Sequence, residues 1–167
     1  CVATCPTDLV VPASINGYSV TSIEYAAFAN NKLTSISIGT SVTHIGKNAF
    51  SNNQIANIVI PDSVIEISES AFAYNECCLT AVKIGSGVTS IGSRSFERSK
   101  ITKIDIPSNV LSVGSFAFYV NEISDLSLGS SLVSIGEHAF QHNQLTEVTI
   151  PASVASIDAY AFGTGLL

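Results

Sequence analysis

The 167-residue sequence predicts a repeat solenoid: a right-handed coil, mainly parallel β, with one short helical (3-10 or α) turn in each 22-residue repeat. Two observations carry this. Phe28, Phe50, Phe72, Phe96, Phe118, Phe140 and Phe162 recur at steps of 22, 22, 24, 22, 22 and 22 residues. Around each Phe, the same apolar positions return. A unit this short cannot bury its own apolar side, so successive units must stack and share one core.

Each element of the coil follows from local pattern. Five residues before each Phe stands Ile23, Ile45, Ile67, Ile91, Val113, Ile135 or Ile157, with another aliphatic three positions earlier. That V-x-x-I stretch reads as a short extended segment. Ala precedes six of the seven Phe residues, and Ser95 precedes Phe96. A small residue beside a large ring suits the tight turn of a narrow coil, read here as a helical turn. The glycines Gly46, Gly92, Gly114 and Gly136 are read as turn residues between these two stretches. After the Phe comes L-x-x-I-x-I, as in Leu33-x-x-Ile36-x-Ile38, whose period-two ending marks a strand with one buried face. Gly39, Pro61, Gly85, Pro107, Gly129 or Pro151 then ends each strand.

Two residues before the L-x-x-I-x-I segments stand Asn31, Asn53, Cys77, Ser99, Asn121 and Asn143. Their side chains are expected to satisfy backbone groups where each coil bends, a structural role and not a ligand-binding one.

These residues resemble a known family. The segment His142-Asn143-Gln144-Leu145-Thr146-Glu147-Val148-Thr149-Ile150-Pro151-Ala152-Ser153-Val154, together with Val42-Thr43-His44-Ile45-Gly46-Lys47-Asn48-Ala49-Phe50, is similar to the leucine-rich repeats of BspA-like surface proteins. The likeness covers about residues 9 to 167. Pro12 to Val20 looks like that family's first repeat, where a hairpin-like turn widens the opening coil. The resemblance implies one curved leucine-rich-repeat domain over residues 1–167. Residues 1–19 are its cap and widened first coil, 20–162 the repeats, and 163–167 the start of a further repeat. It also implies secretion or surface display and adhesion to host proteins, matrix or neighbouring cells. It implies no catalytic residues and no cofactor.

Composition narrows the partners. Thirteen acidic against seven basic side chains give a formal charge of −6, which argues against a nucleic-acid surface or an anionic-membrane patch. No apolar run approaches the ~20 residues needed to span a bilayer. The chain begins at Cys1 without Met, as a processed or trimmed product would. No Ser, Cys or carboxylate stands in a catalytic context, so the chain is not expected to be an enzyme.

Four cysteines form two close pairs, Cys1 with Cys5 and Cys77 with Cys78. A disulfide needs Cα atoms within ~7 Å, which favours bridges within each pair over bridges between them. The alternatives stay open: Cys77 buried in the Asn column with Cys78 as a free thiol, or Cys1 carrying a lipid. His138 and His142 have a spacing that zinc sites use, but the segment is one turn long and no third ligand is near in sequence; a metal-free surface pair is expected. Phe116, Tyr74 and Tyr119 lie around the Ala-Phe turns and could form an aromatic patch on that edge, with packing along the coil edge as the alternative.

The outward positions of the main strands are Ser35, Ser37, Asn57, Val59, Ala81, Lys83, Lys103, Asp105, Asp125, Ser127, Glu147 and Thr149. Lys83, Lys103, Asp105, Asp125 and Glu147 are the candidate partner-binding face, recognising a protein or a glycan. Leu167 lies five residues after Phe162, as Leu33 does after Phe28, so it opens another L-x-x-I-x-I segment. The Leu166-Leu167 end is the candidate for end-to-end stacking of copies into a fibre or surface layer.

Overall fold

The computed structural model describes residues 7–163. The chain winds into a parallel β-solenoid with two sheet walls around one apolar interior. The first wall is a seven-stranded parallel sheet of two-residue strands, Ser22–Ile23, His44–Ile45, Glu66–Ile67, Ser90–Ile91, Ser112–Val113, Ser134–Ile135 and Ser156–Ile157, in chain order. The second wall carries the longer strands. Asp8–Val11 pairs with Ser35–Ile38, and Asn57–Val59, Ala81–Lys83, Lys103–Asp105 and Asp125–Ser127 form a four-stranded parallel sheet. Register follows the repeat: Ile58 lies against Val82 and Ile104 against Leu126. Ser14–Ile15 and Tyr18–Ser19 form an antiparallel hairpin. Its loop residues Asn16 and Gly17 have φ of 51° and 84°, the all-positive two-residue turn that Asn-Gly adopts most readily.

The seven Phe rings form one continuous stack. Neighbouring centroids lie 5.5, 5.3, 5.3, 5.2, 5.2 and 5.5 Å apart, in nearly parallel planes. Ile45, Ile67, Ile91, Val113 and Ile135 pile up in the same way and are buried. Like side chains superpose because the coils stack in register.

The expected helical turn does not form. Each Ala-Phe stretch is instead a pair of overlapping turns: the Ala49 N–H donates to the Gly46 carbonyl and the Ser51 N–H to the Asn48 carbonyl, both at 3.1 Å. The residues two before and two after the Phe take the left-handed conformation, as with Asn48 (φ 57°) and Asn52 (φ 54°). The reason lies between coils. Asn48, Phe50 and Asn52 donate their N–H groups to Glu69, Ala71 and Ala73 of the next coil at 3.0, 2.8 and 2.9 Å. A helix would spend those same donors on carbonyls within its own coil. Left-handed backbone costs a non-Gly residue roughly 1–2 kcal/mol, and the ladder offsets it.

The Asn column is real, with two members corrected. Asn53 Oδ1 accepts from the Asn31 and Leu33 N–H groups at 3.1 and 2.9 Å, and its Nδ2 donates to the Phe28 and Phe50 carbonyls at 2.9 and 3.0 Å. Asn121 and Asn143 repeat the pattern on Ile101 and Ile123. In the 24-residue coil the ladder residue is Asn75, fully buried, and not Cys77, which is exposed. Asn75 Oδ1 accepts from the Ile55 N–H at 3.2 Å, and Nδ2 donates to Phe72 and Phe50 carbonyls at 2.8 and 3.3 Å. Each ladder Asn stands three residues after its Phe, so the two additional residues fall after Asn75. Ser99, in the next coil, bonds nothing with its hydroxyl. The two irregularities compensate: the enlarged loop lets the Leu79 N–H reach the Asn75 carbonyl at 3.2 Å, leaving no donor there for a residue at 99 to satisfy.

The glycines are also read differently in three dimensions. None of Gly46, Gly92, Gly114 and Gly136 has positive φ. They are small because coils touch there; a Cβ on Gly114 would lie 2.6 Å from the Ser93 nitrogen. At the strand ends Gly and Pro alternate coil by coil. A Cβ on Gly85 would sit 2.4 Å from the Pro61 carbonyl oxygen, and one on Gly129 would sit 2.3 Å from that of Pro107.

Candidate functional site

The main-strand wall presents its odd positions to solvent, because pleating sends alternate side chains to opposite faces. Asn57, Val59, Ala81, Lys83, Lys103, Asp105, Asp125 and Ser127 all lie exposed on it. Strand pairing sorts them into two columns. Asn57, Ala81, Lys103 and Asp125 form one; Val59, Lys83, Asp105 and Ser127 form the other.

The five charged residues proposed from sequence divide into three groups. Lys103 is neutralised within the sheet: its ammonium lies 2.8 Å from Asp125 and 4.0 Å from Asp105. The hydrogen bond that the Lys103 ammonium donates to Asp125, reinforced by the charges of Asp105 and Asp125, holds that ammonium above the ordinary lysine range. Glu147 falls outside the sheet, since the L-x-x-I-x-I stretch at 145–150 forms no strand. The described residues bring a pairing neighbour to only one side of that coil. Lys83 makes no ion pair among the described residues, and its column neighbour Val59 is 60% exposed.

Lys83 and Val59 face a shallow hollow of about 610 Å³, lined also by Ser37, Asn57, Pro61 and Asp62. Asp62, which sequence reasoning did not single out, sits at its rim. The Ser86 N–H and hydroxyl reach its Oδ1 at 2.7 and 3.0 Å. These bonds, the backbone one foremost, hold the Asp62 carboxyl below its usual range, and the Lys83 charge adds to the effect. A second hollow of about 310 Å³ continues along the face past Ala81 to Lys103 and Asp105. The arrangement offers a cation without an ion pair among the described residues, the Asp62 carboxylate in the same lining, an exposed aliphatic and small polar groups on a rigid sheet. It can hold a partner surface.

Other residues singled out from sequence are placed as follows. Cys77 and Cys78 are joined to each other by a disulfide. Cys1, Cys5, Leu166 and Leu167 lie outside the described residues. His138 is sandwiched between the Phe116 and Tyr160 rings, with centroids 4.6 and 5.2 Å away, and bonds the Gln141 side chain. Among the described residues no three His, Cys, Asp or Glu side chains are grouped to hold a metal ion. Phe116 and Tyr119 do meet, edge to face at 5.3 Å, and Arg94 caps Phe116 at 4.3 Å; Tyr74 is not part of this cluster. No described helix is long and apolar enough to cross a membrane.

Comparison with known proteins bears on the architecture. No curated protein matches the sequence. A leucine-rich repeat protein from Bacteroides ovatus superposes with a TM-score of 0.65 at 20% identity, covering 90% of this chain and 53% of that one. The chain therefore spans about half the length of that relative. The pneumococcal vaccine antigen PcpA matches at 18% identity and a TM-score of 0.47, over 89% of this chain and 52% of that one. Solenoids of this kind are generally non-catalytic binding scaffolds, and BspA-like members are often surface proteins. The BspA type leucine rich repeat model matches in six copies over residues 12–76 and 58–165. With the Phe stack, the strand register and that match together, the chain belongs to the BspA-type leucine-rich-repeat family.

Proposed function

We propose that this chain is an extracellular or cell-surface binding and adhesion module, without catalytic activity, that recognises a protein or glycan partner through its main-strand wall. The observation that carries the reading is the hollow around Val59 and Lys83. A large aliphatic exposed on a polar sheet face, beside a cation without an ion pair among the described residues, has no use in stacking the coils. Contact of that kind, an apolar centre with a polar rim, is how interfaces are built. Lys103, Asp105 and Asp125 are already paired with one another and act as rim.

Binding of the purified chain to a panel of immobilised extracellular-matrix proteins and glycans tests this. Val59→Asp and Lys83→Glu are expected to abolish the strongest signal, and replacing Lys103 and Asp105 with Ala to weaken it modestly. Unchanged binding in all these variants would remove this face from consideration.

A second reading, end-to-end stacking of copies, is favoured by the apolar surface on the outermost described coils, where Val10 is 70% exposed at one end and Ile157 46% at the other. Light scattering across concentrations decides it: a monomer throughout excludes stacking.

A further inference from the structure

The third coil carries two residues more than its neighbours, and the solenoid has no need of them. Asn75 keeps its ladder bonds to Ile55, Phe72 and Phe50 and Leu79 keeps its buried place, so Glu76, Cys77 and Cys78 form a loop outside the stacking logic. That loop is stiff. Cys77 and Cys78 are disulfide-bonded, and the Asn75 carbonyl accepts from both the Cys78 and Leu79 N–H groups at 3.1 and 3.2 Å.

A hollow of about 500 Å³ opens against this loop, lined by Asn52, Asn53, Gln54, Tyr74, Glu76 and Cys77. Its size lies within the ~300–1,000 Å³ range of small-molecule sites. The Asn53 side chain is spent on the backbone ladder, but most of the rest is unspent. The Gln54 side-chain amide and the Tyr74 hydroxyl have no hydrogen-bond partner among the described residues, while the Gln54 backbone N–H is spent on the Leu33 carbonyl. Asn52 uses only its Nδ2, on Asn30 Oδ1 at 2.6 Å. Glu76 is engaged only by Arg98, at a loose 3.6 Å. Tyr74 is 41% exposed and stacks on no other ring among the described residues, unlike Phe116 and Tyr119.

The chemistry of these walls selects a ligand class. The Tyr74 ring and the disulfide present apolar surfaces, while two amides and a carboxylate present donors and acceptors around them. The complement is a neutral molecule with one face of C–H groups and an edge of hydroxyls. The carboxylate and the acidic chain repel phosphate and other anions. We propose that the hollow beside Cys77–Cys78 is a saccharide-binding subsite, in which a sugar ring lies on Tyr74 with its hydroxyls bonded to Asn52, Gln54 and Glu76. The disulfide keeps that wall in place before binding, which lowers the entropic cost of capture. The inference rests on the reading of the chain as a binding module and assigns it a ligand class at a separate place on the solenoid.

Saturation-transfer NMR on the chain tests it, with the methyl glycosides of galactose, mannose, fucose and N-acetylglucosamine as probes. At least one glycoside is expected to receive saturation. Tyr74→Ala and Gln54→Ala should each weaken it about tenfold, the equivalent of ~1.4 kcal/mol. The double change Cys77→Ser with Cys78→Ser, checked for an unaltered circular dichroism spectrum, should weaken it several-fold with all polar partners still present. Glu66→Gln, an exposed change on the first wall, should leave it untouched. No saturation of any glycoside, or equal saturation in Tyr74→Ala, overturns the proposal. If matrix proteins still bind in that event, the binding-module reading survives while the saccharide subsite does not.

Discussion

Replacing Asn75 with Ala tests the polar ladder at its most buried member. The side chain bonds the Ile55 N–H, the Phe72 carbonyl and the Phe50 carbonyl. Phe50 keeps a second donor, Asn53 Nδ2 at 3.0 Å, so its loss is partial. Ile55 N–H and Phe72 C=O have no other partner among the described residues. Stranding a buried polar group costs ~1–3 kcal/mol, so two of them give about 2–6 kcal/mol. Ser99→Ala, in the same column one coil on, is the internal control. The Ser99 hydroxyl bonds nothing, so this change should stay within about 0.5 kcal/mol of zero. Urea unfolding followed by circular dichroism measures both. If the two variants lose equal stability, or if Asn75→Ala costs under ~1 kcal/mol, the ladder is not what closes the coil edges.

Three further outcomes are expected. Phe96→Ala removes a fully buried ring between neighbours 5.3 and 5.2 Å away and should cost about 3–5 kcal/mol in the same unfolding experiment; a loss below ~1 kcal/mol would deny the stack its place in the core. Gly85→Ala forces a Cβ to within 2.4 Å of the Pro61 carbonyl oxygen and must move two coils apart, so its melting temperature should fall, whereas an unaltered one would mean that the Gly–Pro contact is slack. Asp62, with its carboxyl held below the usual range by the Ser86 donors, contributes stability that is present above the ordinary carboxylate range and fades as pH falls through its lowered value. The difference in urea midpoint between the parent chain and Asp62→Asn should therefore shrink on acidification; a pH-independent difference would contradict this.

Much of the fold was legible because a solenoid repeats its physics. Counting from one Phe to the next locates every core column, and the period-two ends of the L-x-x-I-x-I segments locate the main strands. The errors arose where spacing was counted from the wrong landmark or where the cause lay between coils. Cys77 was placed in the Asn column by counting back from Leu79; counting three forward from Phe72 reaches Asn75. The charged stripe was legible as composition but not as pairing: only strand register puts Lys103 beside Asp125 and leaves Lys83 next to Val59. The hollow beside Cys77–Cys78 had no signal beyond the two additional residues of that coil.

The amino-acid order alone determined that the chain coils, that Phe and β-branched residues form the interior, and where each coil bends, because those properties depend on periodicity and on single side chains. Tertiary structure decided the rest. Ala-Phe segments are paired turns flanked by left-handed residues and not helices, because alternate N–H groups are claimed by the neighbouring coil. Gly85 and Gly129 are glycine because a proline carbonyl lies against them, and no local rule states that. Which surface residues remain unspent follows from the same source, since a side chain is free to meet a partner only after the stacked coils have taken the bonds they need.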